Sequence, residues 1–221
     1  MPFHIKRTET FQAKPLQQYR GIRSTVWVQP PSGKSVLEIQ TTHTPTALQK
    51  VPDEKNYLTP PPHWHWYQDE FFHIRKGRYI FTLEGVDKTI SASDPQPIRI
   101  PAGARHTFKV DDTCEDECVI EVSTLLSPKG ADEGAGEKFF RNIYSYLDDC
   151  YLQDVSPSLP QLLLMLDSAE ISLALPGPGW VARPLSWILG VVVGRWFGGY
   201  VLGYRDSYEE YWSEKEGRKA K

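Results

Sequence analysis

The chain has 221 residues, 40% of them hydrophobic, and its formal net charge is −3. This length allows one generous domain or one domain with a sizeable extension. A nucleic-acid-binding protein would normally carry a clustered basic surplus, so the near-neutral charge argues against that class.

The cysteines and the N-terminal residues indicate a cytoplasmic protein. Cys114, Cys118 and Cys150 are sparse and odd in number, whereas a secreted disulfide framework has an even number at higher density. A zinc site at Cys114 and Cys118 would need two further ligands, and none lies nearby in the sequence. Residues 1–14 contain no apolar run of the kind that marks a secretory signal. We therefore expect reduced thiols and a cytoplasmic location.

Residues 1–126 are predicted to form an N-terminal arm followed by a β domain. From about residue 21 onward, short runs of β-branched and aromatic residues alternate with Gly- and Pro-containing turns. The predicted strands span residues 24–28, 36–40, 70–74, 79–83, 98–100, 106–110 and 119–125. Many short strands with few helical stretches predict a mainly β sandwich or barrel.

Residues 137–221 are predicted to form an α-helical C-terminal extension. It follows a Gly-rich charged loop over residues 127–136, which we expect to be exposed. Apolar residues at helical spacing predict helices over residues 137–152 and 157–175, and a third apolar stretch spans residues 184–204. Residues 208–221 form a charged, solvated tail.

The role of residues 171–204 remains open between three interpretations. Only two charges, Arg183 and Arg195, occur in this segment, and the longest uncharged run from Pro184 is too short to span a bilayer as a simple helix. The segment could be a helix packed on the barrel, an interfacial membrane anchor, or a lid or dimer contact. Its tryptophans and tyrosines would suit a membrane interface, so membrane-surface contact and a homodimer are both retained.

Three histidines and one glutamate form the candidate chemical site. His63 and His65 are two residues apart, so on a strand both imidazoles point to the same face. Glu70 opens the next run after a short turn, and a tight turn over residues 101–105 delivers His106 at the start of a strand. Three imidazoles and one carboxylate suit Fe, Mn, Ni, Cu or Zn, so one divalent transition metal is the predicted cofactor. The other histidines, His4, His43 and His73, are interpreted as ordinary surface or core residues.

The spacing of these residues resembles the cupin superfamily. The pattern His-x-His-x4-Glu-x6-Gly is matched by His63, His65, Glu70 and Gly77. The pattern Pro-x-Gly-x2-His is matched by Pro101, Gly103 and His106. The resemblance implies a cupin jelly-roll (double-stranded β-helix) barrel over about residues 20–126, with the metal inside it. The C-terminal part is also similar to that of uncharacterised fungal and bacterial cupins.

This sequence departs from the usual cupin motifs at three places. Prolines 60–62 stand where a glycine usually precedes the first motif, and Asp94-Pro95 stands where the second motif usually opens with Gly. Val110 stands where an Asn is common, which makes the predicted pocket floor more apolar.

Strand alternation predicts which side chains line the pocket. The predicted substrate-binding residues are Phe72, Tyr79, Phe81, Ile100, Phe108 and Val110. They describe a large, aromatic and mostly apolar pocket with few polar anchors. Glu70 and His106 are the predicted catalytic residues, with Glu70 a metal ligand first and a base second. Arg99 and Arg105 are interpreted as exposed residues at the barrel edge, and Trp64 and Trp66 should point away from the metal.

The expected function is that of a metal-dependent enzyme acting on a small lipophilic metabolite of polyketide or terpenoid type, as in secondary metabolism. Iron or copper would allow oxygenation of the quercetin-dioxygenase kind, whereas zinc, manganese or nickel would favour isomerisation, decarboxylation or cyclisation without redox change. A third alternative is a cupin that binds or senses a ligand without turnover, at a membrane surface or elsewhere. The expected partner is thus a small molecule and not a nucleic acid.

Overall fold

Two antiparallel sheets and three α-helices make up the computed structural model, which describes residues 5–130 and 133–213. His4 and residues 214–221 of the predicted charged tail lie outside the described residues. The strands are β1 (Leu16–Gln18), β2 (Arg23–Trp27), β3 (Lys34–Thr42), β4 (His63–His65), β5 (Glu70–Lys76), β6 (Arg78–Leu83), β7 (Val86–Ser91), β8 (Ile98–Ile100), β9 (His106–Val110), β10 (Cys118–Leu125) and β11 (Ile171–Leu173). The helices are α1 (Glu137–Leu152), α2 (Leu159–Ser168) and α3 (Gly179–Leu189), and a π-helix over Gly190–Val201 continues α3.

The sheets face each other as in a jelly roll. The first sheet has the order β1-β2-β3-β10-β5-β8, and the second has the order β11-β4-β9-β6-β7. All seven predicted strands are present, and β1, β4, β7 and β11 are additional. The predicted mainly β cupin barrel with a helical C-terminal extension is therefore confirmed.

The barrel core forms because alternate side chains of β5 and β10 point inward. Phe72 and Ile74 on β5 and Ile120 and Val122 on β10 are all buried, as period-two alternation requires. Gly77 makes the turn into β6 with φ of +78°, and a Cβ there would lie 2.2 Å from the Sγ atom of Cys118. Glycine is therefore needed at the end of the first motif for two reasons, the backbone angle and the close approach.

Helix α2 is shorter than predicted. The predicted helix over residues 157–175 ends at Ser168, because Glu170 adopts a φ of +58° and the chain then enters β11. Strand β11 pairs antiparallel with β4 over Leu173 to His63 and Ile171 to His65. The C-terminal part of the chain thus contributes a strand beside the two histidines of the first motif.

The third apolar stretch packs on α2 through glycines. A Cβ on Gly190, Gly194 or Gly198 would approach Asp167, Leu163 or Pro160 respectively. Arg195 pairs with Asp167 at 2.6 Å, as expected for a charge in an apolar segment. Within the described ranges, no helix combines the length and apolar character that a membrane crossing requires.

Candidate metal centre

Strands β4, β5 and β9 bring the four predicted ligands together. His63 and His65 point inward from β4, and His63 pairs directly with His106 of β9. Glu70 enters from the facing sheet at the start of β5. One donor atom from each residue can be chosen so that all four lie within 4.8 Å of one another. Side chains from both sheets therefore converge on one point inside the barrel.

Backbone carbonyls orient two of the imidazoles. The Nδ1 atom of His63 lies 3.0 Å from the Pro61 carbonyl oxygen, and that of His106 lies 3.0 Å from the Ala104 carbonyl oxygen. Because a carbonyl oxygen only accepts, Nδ1 is the donor in both rings. In His63 this leaves Nε2 with its lone pair, whereas His106 Nε2 donates to the Glu70 carboxylate at 3.0 Å. Such a hydrogen bond on the far nitrogen is typical of metal-binding histidines.

The charges of the centre suit a divalent cation. Burial and the charge of the neighbouring His106 together lower the pKa of His63 to about 3, and burial also lowers the pKa of His65. Burial alone would lower the pKa of His106, but a 3.0 Å hydrogen bond and the charge of Glu70 overcome it and raise that pKa. His63 and His65 are thus held neutral, and His106 would release its Nε2 proton on binding a cation. Three imidazoles and one carboxylate form a donor set that Fe, Mn, Ni, Cu and Zn all accept.

Similar proteins are fungal oxidoreductases. The chain is 36% identical over 166 residues to the "probable oxidoreductase virH" of Hypocrea virens, a match covering 75% of this chain and 74% of that protein. It is 31% identical to the "probable oxidoreductase patJ" of Penicillium expansum and 28% identical to the "epoxidase atD" of Aspergillus terreus. Both matches cover 96% of this chain but only 64% and 66% of those proteins. The chain belongs to this family of fungal cupin oxidoreductases.

Other comparisons add little to the family assignment. No protein-family model matches the chain. Among solved structures, KdgF from Halomonas has a TM-score of 0.36 at 14% identity, covering 53% of this chain and 96% of that one. The cupin domain of Schizosaccharomyces pombe Cnp3 has a TM-score of 0.37 at 8% identity, covering 52% and 69%. The cupin fold is assigned from the strand order and the two motifs.

Four of the predicted pocket residues lie close to the four candidate ligands of this family member. Phe72, Phe81 and Phe108 pack together, with ring centroids 4.7 to 5.8 Å apart. Phe72 lies two residues after Glu70 on β5, Phe108 lies two residues after His106 on β9, and Phe81 pairs with Phe108. Ile100 pairs directly with Glu70 across β8 and β5. These side chains form an apolar floor beneath the ligands.

Tyr79 and Val110 lie at the other end of the barrel. They pair with each other across β6 and β9, four residues along β9 from His106. At about 3.3 Å per residue this places their backbone about 13 Å from that ligand, behind the phenylalanines. A substrate role for these two residues would require a molecule that reaches past the phenylalanine floor.

The flanking cations and tryptophans have structural contacts. Arg99 pairs with Asp69 at the surface, as expected. Arg105 is not a free edge residue, since its guanidinium donates to the Leu175 and Gly177 carbonyl oxygens and ties the C-terminal segment to β9. Trp64 and Trp66 lie outside the barrel interior. Trp64 is buried beneath the Arg183 guanidinium, and Trp66 donates to the Ser172 hydroxyl of β11.

Proposed function

We propose that this chain is a metal-dependent oxidoreductase that acts on a small, largely apolar metabolite of the kind tailored in secondary metabolism. The convergence of His63, His65, Glu70 and His106 inside the barrel is the observation that supports it. The names of the fungal relatives favour redox chemistry over isomerisation, decarboxylation or cyclisation. The polyketide or terpenoid character of the substrate is part of the proposal, and the apolar floor supports it.

The chain's own residues would hold the metal and exclude water. A bound iron or copper ion would supply the oxidising chemistry and would polarise an oxygen atom of the substrate. His63, His65 and His106 would offer Nε2, and Glu70 would offer its carboxylate. The Pro61 and Ala104 carbonyls keep two of the rings in the required tautomer. Phe72, Phe81 and Phe108 would seat the apolar part of the substrate and keep bulk water from the reacting atoms.

Glu70 has a second role in the proposal. Its Oε2 atom lies 3.0 Å from His106 Nε2 and 3.7 Å from His65 Nε2. A carboxylate in this place can accept a proton from a substrate hydroxyl as that oxygen approaches the centre. Glu70 would then act as both ligand and base, and His106 would hold it in position.

The proposal is tested by metal content and oxygen uptake. Protein purified without chelators should contain about one transition-metal ion per chain by elemental analysis, and His65→Ala should lose it while keeping its β-sheet circular dichroism. His73→Ala is the matched control, because His73 lies on the outward face of β5. Oxygen uptake by the metal-loaded protein should appear with some lipophilic phenols or enols. Retention of stoichiometric metal by His65→Ala would contradict the metal centre.

Other results would identify the alternatives. Turnover of an enolisable substrate without oxygen uptake would identify an isomerase, decarboxylase or cyclase. Tight binding of a small molecule with neither turnover nor oxygen uptake would identify a sensing or binding cupin.

A further inference from the structure

A second polar cluster lies inside the barrel, on β3 and α1. The Oε1 atom of Glu38 accepts hydrogen bonds from Gln40 Nε2 at 2.6 Å and from the Tyr144 hydroxyl at 2.8 Å. The Glu38 side chain is 0% exposed, and its other oxygen, Oε2, has no hydrogen-bond partner among the described residues. One oxygen is thus fixed by two donors, and the other is free.

The free oxygen belongs to the same interior as the metal centre. Val122 of β10 pairs with Glu38 on one side and with Phe72 on the other, so these three side chains share the inward face of the first sheet. Strands lie about 4.8 Å apart, so the Cα atoms of Glu38 and Phe72 are about 10 Å apart. Glu70 lies two residues from Phe72 along β5 and points to the same face. The Glu38 and Glu70 side chains therefore point into the interior from the same face of the first sheet.

The electrostatics agree with this proximity. Burial outweighs the lowering by the donors Gln40 and Tyr144 and by the charge of Arg23, and with a smaller rise from the Glu70 charge it brings the pKa of Glu38 to about 7. Glu70 also contributes to the raised pKa of Tyr144, after burial and Glu38. The two acidic groups are near enough to influence each other, although no hydrogen bond joins them.

A purely structural role does not explain the free oxygen. A buried polar atom without a partner lowers stability, and a charged one lowers it more, so native proteins almost always pair such atoms. Trp27 pairs directly with Glu38 across β2 and β3, and its Nε1 atom also lacks a partner among the described residues. Glu38 Oε2 is thus a free acceptor and Trp27 Nε1 a free donor, at adjacent positions of one inward face. Together they offer a site for a polar group that the described residues do not supply.

We propose that Glu38 is a substrate-binding residue whose Oε2 atom accepts a hydrogen bond from a hydroxyl group of the substrate. The proposal rests on the proposed function, because it places the other end of the same molecule at the metal centre. Gln40 and Tyr144 are positioning residues, since by saturating Oε1 they aim Oε2 into the interior. The ligand class is a small molecule with an apolar, aromatic-sized middle over Phe72 and an oxygen function at each end.

The Glu38→Gln variant tests this assignment without removing the cluster. The amide oxygen can still accept from Gln40 and Tyr144, but the NH2 group then occupies the place of Oε2. The free position changes from an acceptor to a donor, with almost no change in volume. Glu121→Gln is the matched control, because Glu121 lies on the outward face of β10 and pairs with Arg75. Tyr144→Phe is a second variant, which releases the carboxylate from one of its two donors.

The readout is calorimetric binding to the zinc-loaded full chain at pH 8, which requires no turnover. The probes are dihydroxybenzenes and dihydroxynaphthalenes with different hydroxyl spacings, each compared with its monomethyl ether. We expect the wild-type protein and Glu121→Gln to bind at least one diol about tenfold or more tightly than its ether, as for a hydrogen bond to a charged group. The ratio should fall to about one in Glu38→Gln and to an intermediate value in Tyr144→Phe.

An unchanged ratio of diol to ether affinity in Glu38→Gln would overturn the assignment. A wild-type protein that prefers no diol would also overturn it, whether the protein binds both probes equally or binds neither. In those cases an internal water is the partner of Oε2. The outcome is separate from that of the proposed function, which fails on metal content and oxygen uptake. Glu38→Gln should keep the wild-type metal content in either case, because Glu38 is not one of the four ligands.

Discussion

At the scale of single residues, two buried carboxyl groups make the stability of the protein depend on pH. Burial raises the pKa of Glu38 from 4.5 to about 7 and that of Asp148 from 3.8 to about 6. Between the lower and the upper value, the unfolded chain releases a proton that the folded chain keeps. Each group therefore contributes stability that is fully present below its unfolded pKa and is lost as the pH rises through its folded pKa. The window for Glu38 is about pH 4.5 to 7.

We expect the Glu38→Gln substitution to change this dependence measurably. The free energy of unfolding of the wild-type protein, relative to the variant, should fall by on the order of 3 kcal/mol between pH 4.5 and 8. The difference between the two proteins is the diagnostic quantity, because the lowered pKa values of His63 and His65 act in the opposite direction. Urea unfolding at several pH values measures it, with Glu121→Gln as control. A constant difference would mean that Glu38 titrates normally in the folded protein.

The position of Glu38 could not be predicted from the hydrophobic pattern. In β3, Leu37 and Ile39 alternate with Glu38 and Gln40, and this pattern favours apolar residues inside and polar residues outside. The structure has the reverse order, with Glu38 and Gln40 buried and Leu37 and Ile39 partly exposed. A polar pair from β3 and a tyrosine from α1 satisfy each other only in three dimensions. The hydrophobic pattern therefore did not indicate this buried polar cluster.

The candidate metal ligands, in contrast, could be identified from the sequence because most of their geometry is local. His63 and His65 are two residues apart on one strand, so their side chains point in the same direction, and a short turn sets the position of Glu70. The tight turn before His106 likewise belongs to one short segment. Only the meeting of the two segments is long-range, and the resemblance to cupins supplied it.

At the scale of secondary-structure elements, the π-helix depends on its glycines. The i→i+5 hydrogen bonds of a π-helix widen each turn, so residues four apart lie nearly on one face. Gly190, Gly194 and Gly198 follow this spacing and lie against α2. A Cβ on Gly194 would lie 2.7 Å from backbone atoms of Leu163 and Leu164, which cannot rotate away.

Alanine at two glycines of this helix should have opposite effects. Gly194→Ala should lower the free energy of unfolding by about 1–3 kcal/mol, as overpacking does, because backbone must move. Gly199→Ala should be neutral or stabilise by up to about 1 kcal/mol, since its Cβ would meet only the Leu164 side chain at 4.0 Å. Urea denaturation compares the two variants. Equal effects would show that the helix does not pack closely on α2.

Elements held by distant partners were the ones that periodicity could not predict. Strand β11 has only three residues, and Glu170 before it adopts a left-handed backbone conformation that favours glycine. The Ser127 hydroxyl and Lys129 bind the Glu170 carboxylate, and its carbonyl accepts from the Trp66 amide. These contacts, and not local preference, end α2. Helix α1, whose apolar side chains keep helical spacing throughout, was predicted with its observed bounds.

At the scale of the whole molecule, the C-terminal segment has two different faces. Its glycines pack on α2, while Trp180 and Tyr200 are 81% and 82% exposed on the other side, with Trp187 and Trp196 also exposed. Both arginines are occupied, Arg183 by the Gly103 carbonyl oxygen and Arg195 by Asp167. Membrane-surface contact and a homodimer stay proposals for this aromatic face.

We expect the full chain to float with phospholipid vesicles. Exposed tryptophans and tyrosines partition into the membrane interface, and the arginines are already paired, so binding should depend little on anionic lipid or salt. The double variant Trp180→Ser/Tyr200→Ser should bind several-fold more weakly, while Val86→Ser, at an exposed apolar residue of β7, should bind normally. If the full chain does not bind vesicles but sediments as a dimer, the aromatic face contacts a second copy of the chain instead.

The division into residues 1–126 and 137–221 stays a prediction, and limited proteolysis tests it. The connecting loop is held on both sides, by the hydrogen bond from the Ser127 hydroxyl to Glu170 and by the hydrogen bond from the Ala135 amide to Gln68. Because Gly-rich charged loops are preferred sites of proteolytic cleavage, we expect the first cut to fall within residues 127–136. Resistance of this loop while the barrel is cleaved would show that the helices are an integral layer of one domain. A first cut inside this loop that leaves two folded fragments would show that the parts are separable.

The pairing of β11 with β4 also bears on how the protein matures in the cell. While the ribosome is still making the helices, β4 carries two of the four ligands on a strand whose outer edge has no neighbour. Pairing across so many residues forms late, because the intervening chain must first close a long loop. Metal loading is therefore expected after release of the nascent chain, and a polypeptide that stalls before Leu173 would present an open, aggregation-prone strand edge to the chaperones instead.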